Sequence, residues 1–136
     1  MDIKIDKATK RQDHRGFLVD FLKGTEVEPD DRMLGQIYFV TFSGKGVIRG
    51  NHYHKNRKEW FVPVKGRIRV EFRSVITGDD MSIVVNGDDY EYQRIGIGAN
   101  IAHAFQALTD EAAMINYASQ PYIHEAPDTY EYVLIK

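Results

Sequence analysis

The feature that most limits what this chain can become is the stretch Lys65-Gly66-Arg67-Ile68-Arg69-Val70-Glu71-Phe72-Arg73, where charged and apolar residues alternate without a break. A period of two places Ile68, Val70 and Phe72 on one face and Arg67, Arg69, Glu71 and Arg73 on the other, the pattern of a strand with one side in a core and one in water. Similar short runs recur along the chain: Gln36 to Phe42, Ile83 to Val85, Tyr90 to Ile95, Ala102 to Leu108, Ala112 to Ala118 and Tyr130 to Ile135. Turn clusters divide them, among them Ser43-Gly44-Lys45-Gly46, Thr77-Gly78-Asp79-Asp80 and Thr109-Asp110-Glu111. Asn86-Gly87-Asp88 predicts a tight hairpin, because Asn-Gly tolerates the positive φ of a type I′ turn, with the run from Tyr90 as its return strand. Only Gly24 to Asp31 has room for a helical turn. Many short strands at this spacing predict an all-β sandwich or barrel.

Length and composition narrow the chemistry. At 136 residues the chain has the usual size of one domain, expected to run from 1 to 136, and needs no staple to bury a core. It has no cysteine, which excludes disulfides, a thiol nucleophile and iron–sulfur ligation. Any metal is therefore held by histidine and carboxylate. A formal net charge of −2 offers no electrostatic footprint for nucleic acid. No apolar run approaches the roughly 20 residues of a membrane span. Met1-Asp2-Ile3-Lys4-Ile5-Asp6 is charged where a secretory signal needs an apolar core, so the expected location is the cytoplasm.

Three of the five histidines sit in a patterned context. His52 and His54 are two apart, so on a strand they project to one face. The wholly polar Lys55-Asn56-Arg57-Lys58 reads as a turn that returns Glu59 beside them on the next strand. His103 arrives from a later segment with Phe105 on its face. A His-x-His pair alone is weak evidence for a metal site. Two histidines, a carboxylate and a distant third histidine make a stronger set for a first-row divalent ion, His52, His54, Glu59 and His103.

Gly46, His52, His54, Glu59 and Gly66 match the spacing of the first motif of the cupin superfamily, and Gly96 to His103 resembles its second. That second stretch lacks the usual proline and glycine. Asn100 stands near the glycine position, and asparagine also accepts positive φ. Asp13-His14-Arg15-Gly16-Phe17-Leu18, Gly46-Val47-Ile48-Arg49-Gly50-Asn51-His52-Tyr53 and Ala102-His103-Ala104-Phe105, followed by Tyr117 and Tyr122, resemble blocks of the dTDP-4-dehydrorhamnose 3,5-epimerase family. The chain departs from that family at His54, where it has glutamine, and at Glu59, near its pocket lysine. The stretch Arg49 to Lys55 is similar to the dTDP-sugar 3,4-ketoisomerases. Arg49-Gly50-Asn51-His52, Glu59 and Pro127-Asp128-Thr129-Tyr130 resemble the C-terminal cupin domain of bifunctional capsular-polysaccharide enzymes.

These resemblances imply a jelly-roll cupin barrel and a nucleotide-linked sugar as substrate. They also imply a shared step: a proton leaves the carbon beside the C4 ketone and the enolate is stabilised. In the epimerases the histidine matching His52 is the general base and the tyrosine matching Tyr117 the opposing acid, while those matching His103 and Arg49 line the pocket. Arg49, Lys58 or a metal would supply positive charge for the enolate. A conflict follows, because a ring nitrogen of His52 that binds metal cannot also accept a proton. In one version a divalent ion, zinc foremost, polarises the ketone. In the other His52 is the base and Glu59 orients a neighbouring histidine. The complete set of three histidines and a glutamate favours metal. A non-catalytic sugar- or metal-binding cupin and an Fe(II) dioxygenase are the competing readings. His14 and His124 read as surface residues. Trp60 leaves its strand apolar on both faces, which suggests sheet packing or a homodimer interface. One cupin leaves no room for a second catalytic domain, so any reduction would fall to another protein.

Overall fold

The computed structural model describes residues 1–32, 34–89 and 91–136. The expected runs become strands, and two more precede them that were not expected: β1 (Ile3–Asp13), β2 (Gly16–Asp20), β3 (Gln36–Phe42), β4 (Ile48–Tyr53), β5 (Glu59–Lys65), β6 (Arg67–Ser74), β7 (Asp80–Asn86), β8 (Tyr92–Ile97), β9 (Ile101–Ala107), β10 (Ala112–Ala118) and β11 (Tyr130–Glu131). Two single 3₁₀ turns, Gly24–Glu26 and Pro29–Asp31, fill the segment expected to hold a helical turn. The strands form two antiparallel sheets, β2-β1-β8-β5-β10-β3 and β11-β4-β9-β6-β7, curled against each other in the cupin architecture. Ile68, Val70 and Phe72 of β6 are buried in the core, with Phe42, Phe61, Ile95 and Phe105 among their neighbours. Their charged neighbours along the strand stay outside.

One expectation is overturned. Asn86-Gly87 does not make a type I′ hairpin: neither residue has positive φ, and Asn86 Oδ1 instead accepts the Asp88 N–H at 2.9 Å. The strand that follows crosses to the opposite sheet and pairs with β1 and β5. β8 is buried along most of its length, so it needs a neighbour on each edge, and β7 could offer only one. The Gly87 N–H ties this crossing to the Gly66 carbonyl at 2.8 Å. Tyr90, the expected start of the return strand, lies outside the described residues. The expected run from Tyr130 to Ile135 shortens to the two residues of β11.

A bulge in β4 aims the residues that matter most. Arg49 pairs with Phe105, Gly50 with Ala104, and His52 with His103, so Asn51 is an extra residue opposite no partner. Gly50 and Asn51 take φ values of 88° and 56° to make this possible. Arg49 and His52, three apart, would face opposite ways on a regular strand. The inserted residue brings both to the inner face, where Phe105 and His103 already point. Asn100 also has positive φ, 63°, as its place in the second motif predicted.

A Cβ on Gly50 would stand 2.8 Å from the His103 carbonyl oxygen and 3.2 Å from Ala104 Cα. Gly50→Ala is therefore expected to lower unfolding free energy by about 1–3 kcal/mol, the usual cost of a strained backbone position. Denaturant titration of the variant beside wild type checks this; an unchanged midpoint would mean that the bulge relaxes without cost.

Candidate active site

The inner faces of β4, β9, β5, β10 and β3 open at one end into a pocket of about 310 Å³. His52 and His54 come from β4 and the residue after its end, His103 from β9, Glu59 and Phe61 from β5, Met114 and Asn116 from β10, and Tyr38 from β3. The three imidazoles converge. Ring centroids of His52 lie 4.9 Å from those of both His54 and His103, and the ligating nitrogens of all three fall within 4.8 Å of one another. The polar stretch at 55–58 carries Glu59 to His54, although β5 lies in the opposite sheet and is not the neighbour of β4 that was expected. Glu59 stands against that one histidine, Oε1 lying 2.7 Å from His54 Nε2, rather than at the centre of the cluster.

The protonation of His54 follows from its partners. Its Nδ1 lies 2.5 Å from the Asp128 carbonyl oxygen, which can only accept, so Nδ1 carries the hydrogen. On a neutral ring Nε2 then holds a lone pair and faces a carboxylate. Although Nε2 is close to Glu59, the two are not aligned for a hydrogen bond, and Nε2 is left without a partner in the interior. A positive species, a proton or a metal ion, satisfies both atoms. His103 repeats the pattern: Nδ1 lies 3.0 Å from the Ile101 carbonyl, leaving Nε2 as the free acceptor. A histidine whose second nitrogen donates to a carbonyl is held in the tautomer that metal sites use.

Charge states agree with this arrangement. Burial drives His52 down to about 3, with His103 and His54 adding to the shift, and burial lowers His103 as well. Both are therefore neutral, the form that binds metal. Burial alone would raise Glu59, but the close contact with His54 and the neighbouring Arg57 guanidinium outweigh that and lower it to about 2. Asn116 Nδ2 donates to Glu59 Oε2 at 2.8 Å, and Arg57 Nε lies 3.5 Å from Oε1. Three converging imidazoles, two anchored through Nδ1, and an ionised carboxylate fit a divalent cation.

Not every expected residue arrives. Arg49 lines the pocket mouth, re-aimed by the bulge, with its Nε donating to the Thr41 carbonyl at 2.9 Å. Tyr117 does not reach the pocket. On β10 it alternates with the inward Asn116 and faces outward, stacked on Trp60 at 5.6 Å, with its hydroxyl donating to the Asp31 carbonyl at 2.7 Å. Lys58, adjacent to the inward Glu59, also points outward and pairs with the Asp31 carboxylate at 3.2 Å. Both fasten the 3₁₀ segment to the outside of the sheet. His14 and His124 are exposed, as expected.

Three residues of the site escaped the sequence reading. Arg57 hides in a run that reads as a solvated turn, yet it is only 6% exposed and reaches Tyr38 Oη at 3.4 Å. Nothing local distinguishes it from Lys55 or Lys58. Tyr38 and Asn116 were more accessible: Tyr38 alternates with Val40 and Phe42, and Asn116 with Met114, so both share a face with core residues.

The neutral burial of His52 and His103 sets an acid limit on the apo fold. Unfolded, both titrate near 6.5. Below that value the unfolded chain binds protons that the native state refuses, so stability is complete above about 6.5 and falls toward about 3. Glu59 adds to the loss only below its ordinary value of 4.5. With a chelator present, unfolding free energy is expected to drop between pH 6.5 and 5 by up to about 1.4 kcal/mol per pH unit for each histidine. His52→Gln is expected to make the slope shallower. Denaturant titrations across that range test it, and a flat profile in wild type would show that the rings accept protons in place.

Comparison with known proteins now has a site to refer to. The chain is 34% identical over 119 residues to the Pseudomonas aeruginosa protein UDP-2-acetamido-2,6-beta-L-arabino-hexul-4-ose reductase, covering 87% of this chain and 29% of that protein. Among solved structures it resembles the capsular polysaccharide assembling protein CapF from Staphylococcus aureus, with a TM-score of 0.68 and 26% identity over 93% of this chain and 34% of that one. It also resembles ChmJ, a 3'-monoepimerase from Streptomyces bikiniensis in complex with dTDP-quinovose, with a TM-score of 0.78 and 18% identity over 95% of this chain and 68% of that one. The likeness to ChmJ speaks to fold. The chain spans about a third of the length of the pseudomonal and staphylococcal proteins. Residues 11–130 match the model of the polysaccharide biosynthesis C-terminal domain, and the chain belongs to that family.

Proposed function

We propose that the pocket is the active site of an isomerase acting on a 4-keto-deoxy sugar nucleotide, exchanging the proton at C3, or at C3 and C5, in the making of a surface polysaccharide. The observation that carries this reading is the buried cluster of His52, His54 and His103 beside ionised Glu59, in a pocket sized for one sugar ring. The pseudomonal relative is named for a hexul-4-ose, a sugar whose C4 ketone acidifies the hydrogens on either side. The streptomycete structure is named as an epimerase. The nucleotide would lie across the open mouth, where Arg49 is exposed.

In this reading His52, His54 and His103 hold a divalent metal, zinc foremost because nitrogen donors suit it, with Glu59 beside them. Such an ion, when bound, polarises the C4 carbonyl as a Lewis acid. A value near 3 makes His52 a poor proton acceptor at neutral pH, which favours the ligand role over that of general base. Proton transfer then falls to the phenols of the pocket, Tyr38 and Tyr122. Arg57, whose Nε has no hydrogen-bond partner, is available to a sugar oxygen. We also favour a homodimer, because Ile37 and Phe39 stand 64% and 67% exposed on edge strand β3.

Incubation in D₂O with a UDP- or dTDP-linked 4-keto-6-deoxy sugar tests the reading. Deuterium is expected to enter at C3, and the presence or absence of label at C5 separates double from single epimerisation. Movement of the carbonyl to C3 would indicate ketoisomerisation. Binding without exchange across both nucleotide series would make the protein a sugar-binding module and overturn the proposal. Removal of metal by chelation is expected to abolish exchange, and readdition of zinc to restore it.

The two tyrosines separate cleanly. Tyr38→Phe is expected to slow exchange by about 10²-fold or more, the usual contribution of a positioned proton donor. Tyr117→Phe should leave exchange near wild type while lowering the thermal midpoint. The reverse ranking would return the acid to Tyr117.

A further inference from the structure

The Pro127-Asp128-Thr129-Tyr130 segment has no part in the reaction as described, yet it makes contacts to the site from more than 70 positions away in sequence. The Asp128 carboxylate accepts three successive backbone N–H groups: Lys55 at 2.9 Å through Oδ1, and Asn56 at 2.8 Å and Arg57 at 3.0 Å through Oδ2. Consecutive amides converging on one anion form a nest, and here the anion belongs to the chain itself. The same residue's carbonyl takes the Nδ1–H of His54. Thr129 Oγ1 accepts from Arg57 Nη2 at 3.3 Å.

We propose that Asp128 is a positioning residue that sets the tautomer of His54 and thereby prepares the metal-binding cluster. The carboxylate pins residue 128 to the 55–57 turn, and that pinning brings its carbonyl to His54 Nδ1. With Nδ1 committed as donor, Nε2, directed toward Glu59 and the pocket, is the atom left to take a metal ion or a proton. Arg57 Nη2, 3.2 Å from Nδ1, cannot replace the carbonyl, because both atoms are donors. Without Asp128, no other group among the described residues near Nδ1 is a strong acceptor: Thr129 Oγ1 lies 3.5 Å away. The inference rests on the metal reading above only for its consequence; the tautomer is a property of the apo protein.

Two measurements test it. Long-range ¹H–¹⁵N correlation spectra of the apo protein report which nitrogen of each histidine is protonated. Wild type is expected to show His54 Nδ1 carrying a hydrogen. Asp128→Ala should convert it to an averaged or Nε2–H ring while His103, anchored on Ile101, stays unchanged. Zinc titration against a competing chelator should show affinity about 10–100-fold weaker in Asp128→Ala, the usual effect of removing an outer partner of a ligand. Tyr132→Ala, which loosens the same terminal segment at its contact with Tyr53, serves as control and is expected to lose stability without either change. Asp128→Asn keeps an oxygen acceptor and should fall between wild type and alanine. It carries the test if the alanine variant does not fold.

An unchanged His54 tautomer in Asp128→Ala, or in the asparagine variant when only that one folds, overturns the proposal. So does equal disturbance of His54 in the Tyr132→Ala control, which would reduce Asp128 to a structural role. If wild type binds no zinc, the metal reading fails, and the tautomer result still decides whether Asp128 positions His54.

Discussion

One inserted residue in β4 governs the geometry of everything around it. The bulge at Gly50–Asn51 shifts the ladder so that Arg49 and His52 face inward together, beside Phe105 and His103. It also turns the Asn51 side chain out of the ladder. There Oδ1 accepts the Leu134 and Ile135 N–H groups, and Nδ2 donates to the Ile135 carbonyl. A bulge interrupts pairing and bends the strand, costs that folds concentrate where a side chain must be re-aimed. Here a single irregularity directs a histidine into the pocket and fastens the C-terminal segment outside it. That segment in turn supplies the nest-filling carboxylate and the carbonyl on His54.

The pocket differs from the rest of the interior in its electrostatics. Deeper in the barrel the packing is aliphatic and aromatic, with Ile68, Val70 and Phe72 essentially inaccessible. At the open end a carboxylate, a guanidinium and three imidazoles are buried together. Removing such charges from water costs several kcal/mol for each ion even after relaxation, and apolar residues of similar volume would stabilise the barrel more. Among the described residues, four buried polar atoms have no hydrogen-bond partner, and three of them, His54 Nε2, Arg57 Nε and Asn116 Oδ1, line this pocket. Buried polar groups are nearly always paired. Three of the exceptions lie around one pocket, where a bound group could satisfy them.

Much of this was legible in local patterns. Alternation identified β6 and its core face, and spacing brought His52, His54 and His103 together as a candidate set. The polar run at 55–58 is legible as a turn, but β4 and β5 lie in opposite sheets, so Glu59 meets His54 across the two sheets rather than along a shared edge. Which way a side chain faces is what a resemblance leaves open. The resemblance implies a pocket role for Tyr117, yet β10 pairs Asn116 with Tyr38 and Tyr117 with Ile37, and only the first pair lies on the pocket side. Lys58 was similarly one position out of phase. The Asn86-Gly87 hairpin failed for a different reason. Turn propensity describes two residues, whereas strand pairing depends on which edges are free, and β8 found its partners in β1 and β5.

What the sequence determined by itself was a set of periods and residue types: an all-β chain, cysteine-free, with histidines and a carboxylate spaced for one end of a barrel. What only the tertiary structure decided was the direction each group faces and what completes it. The bulge reversed the parity of Arg49, and Arg57 went from an apparent surface turn to a buried guanidinium. His54 acquired its carbonyl and its turn an anion from Asp128, 74 residues away. Periodicity is encoded between neighbours in sequence, and so it can be read there. Burial, tautomer and charge state depend on atoms brought near by folding, and no local window contains them.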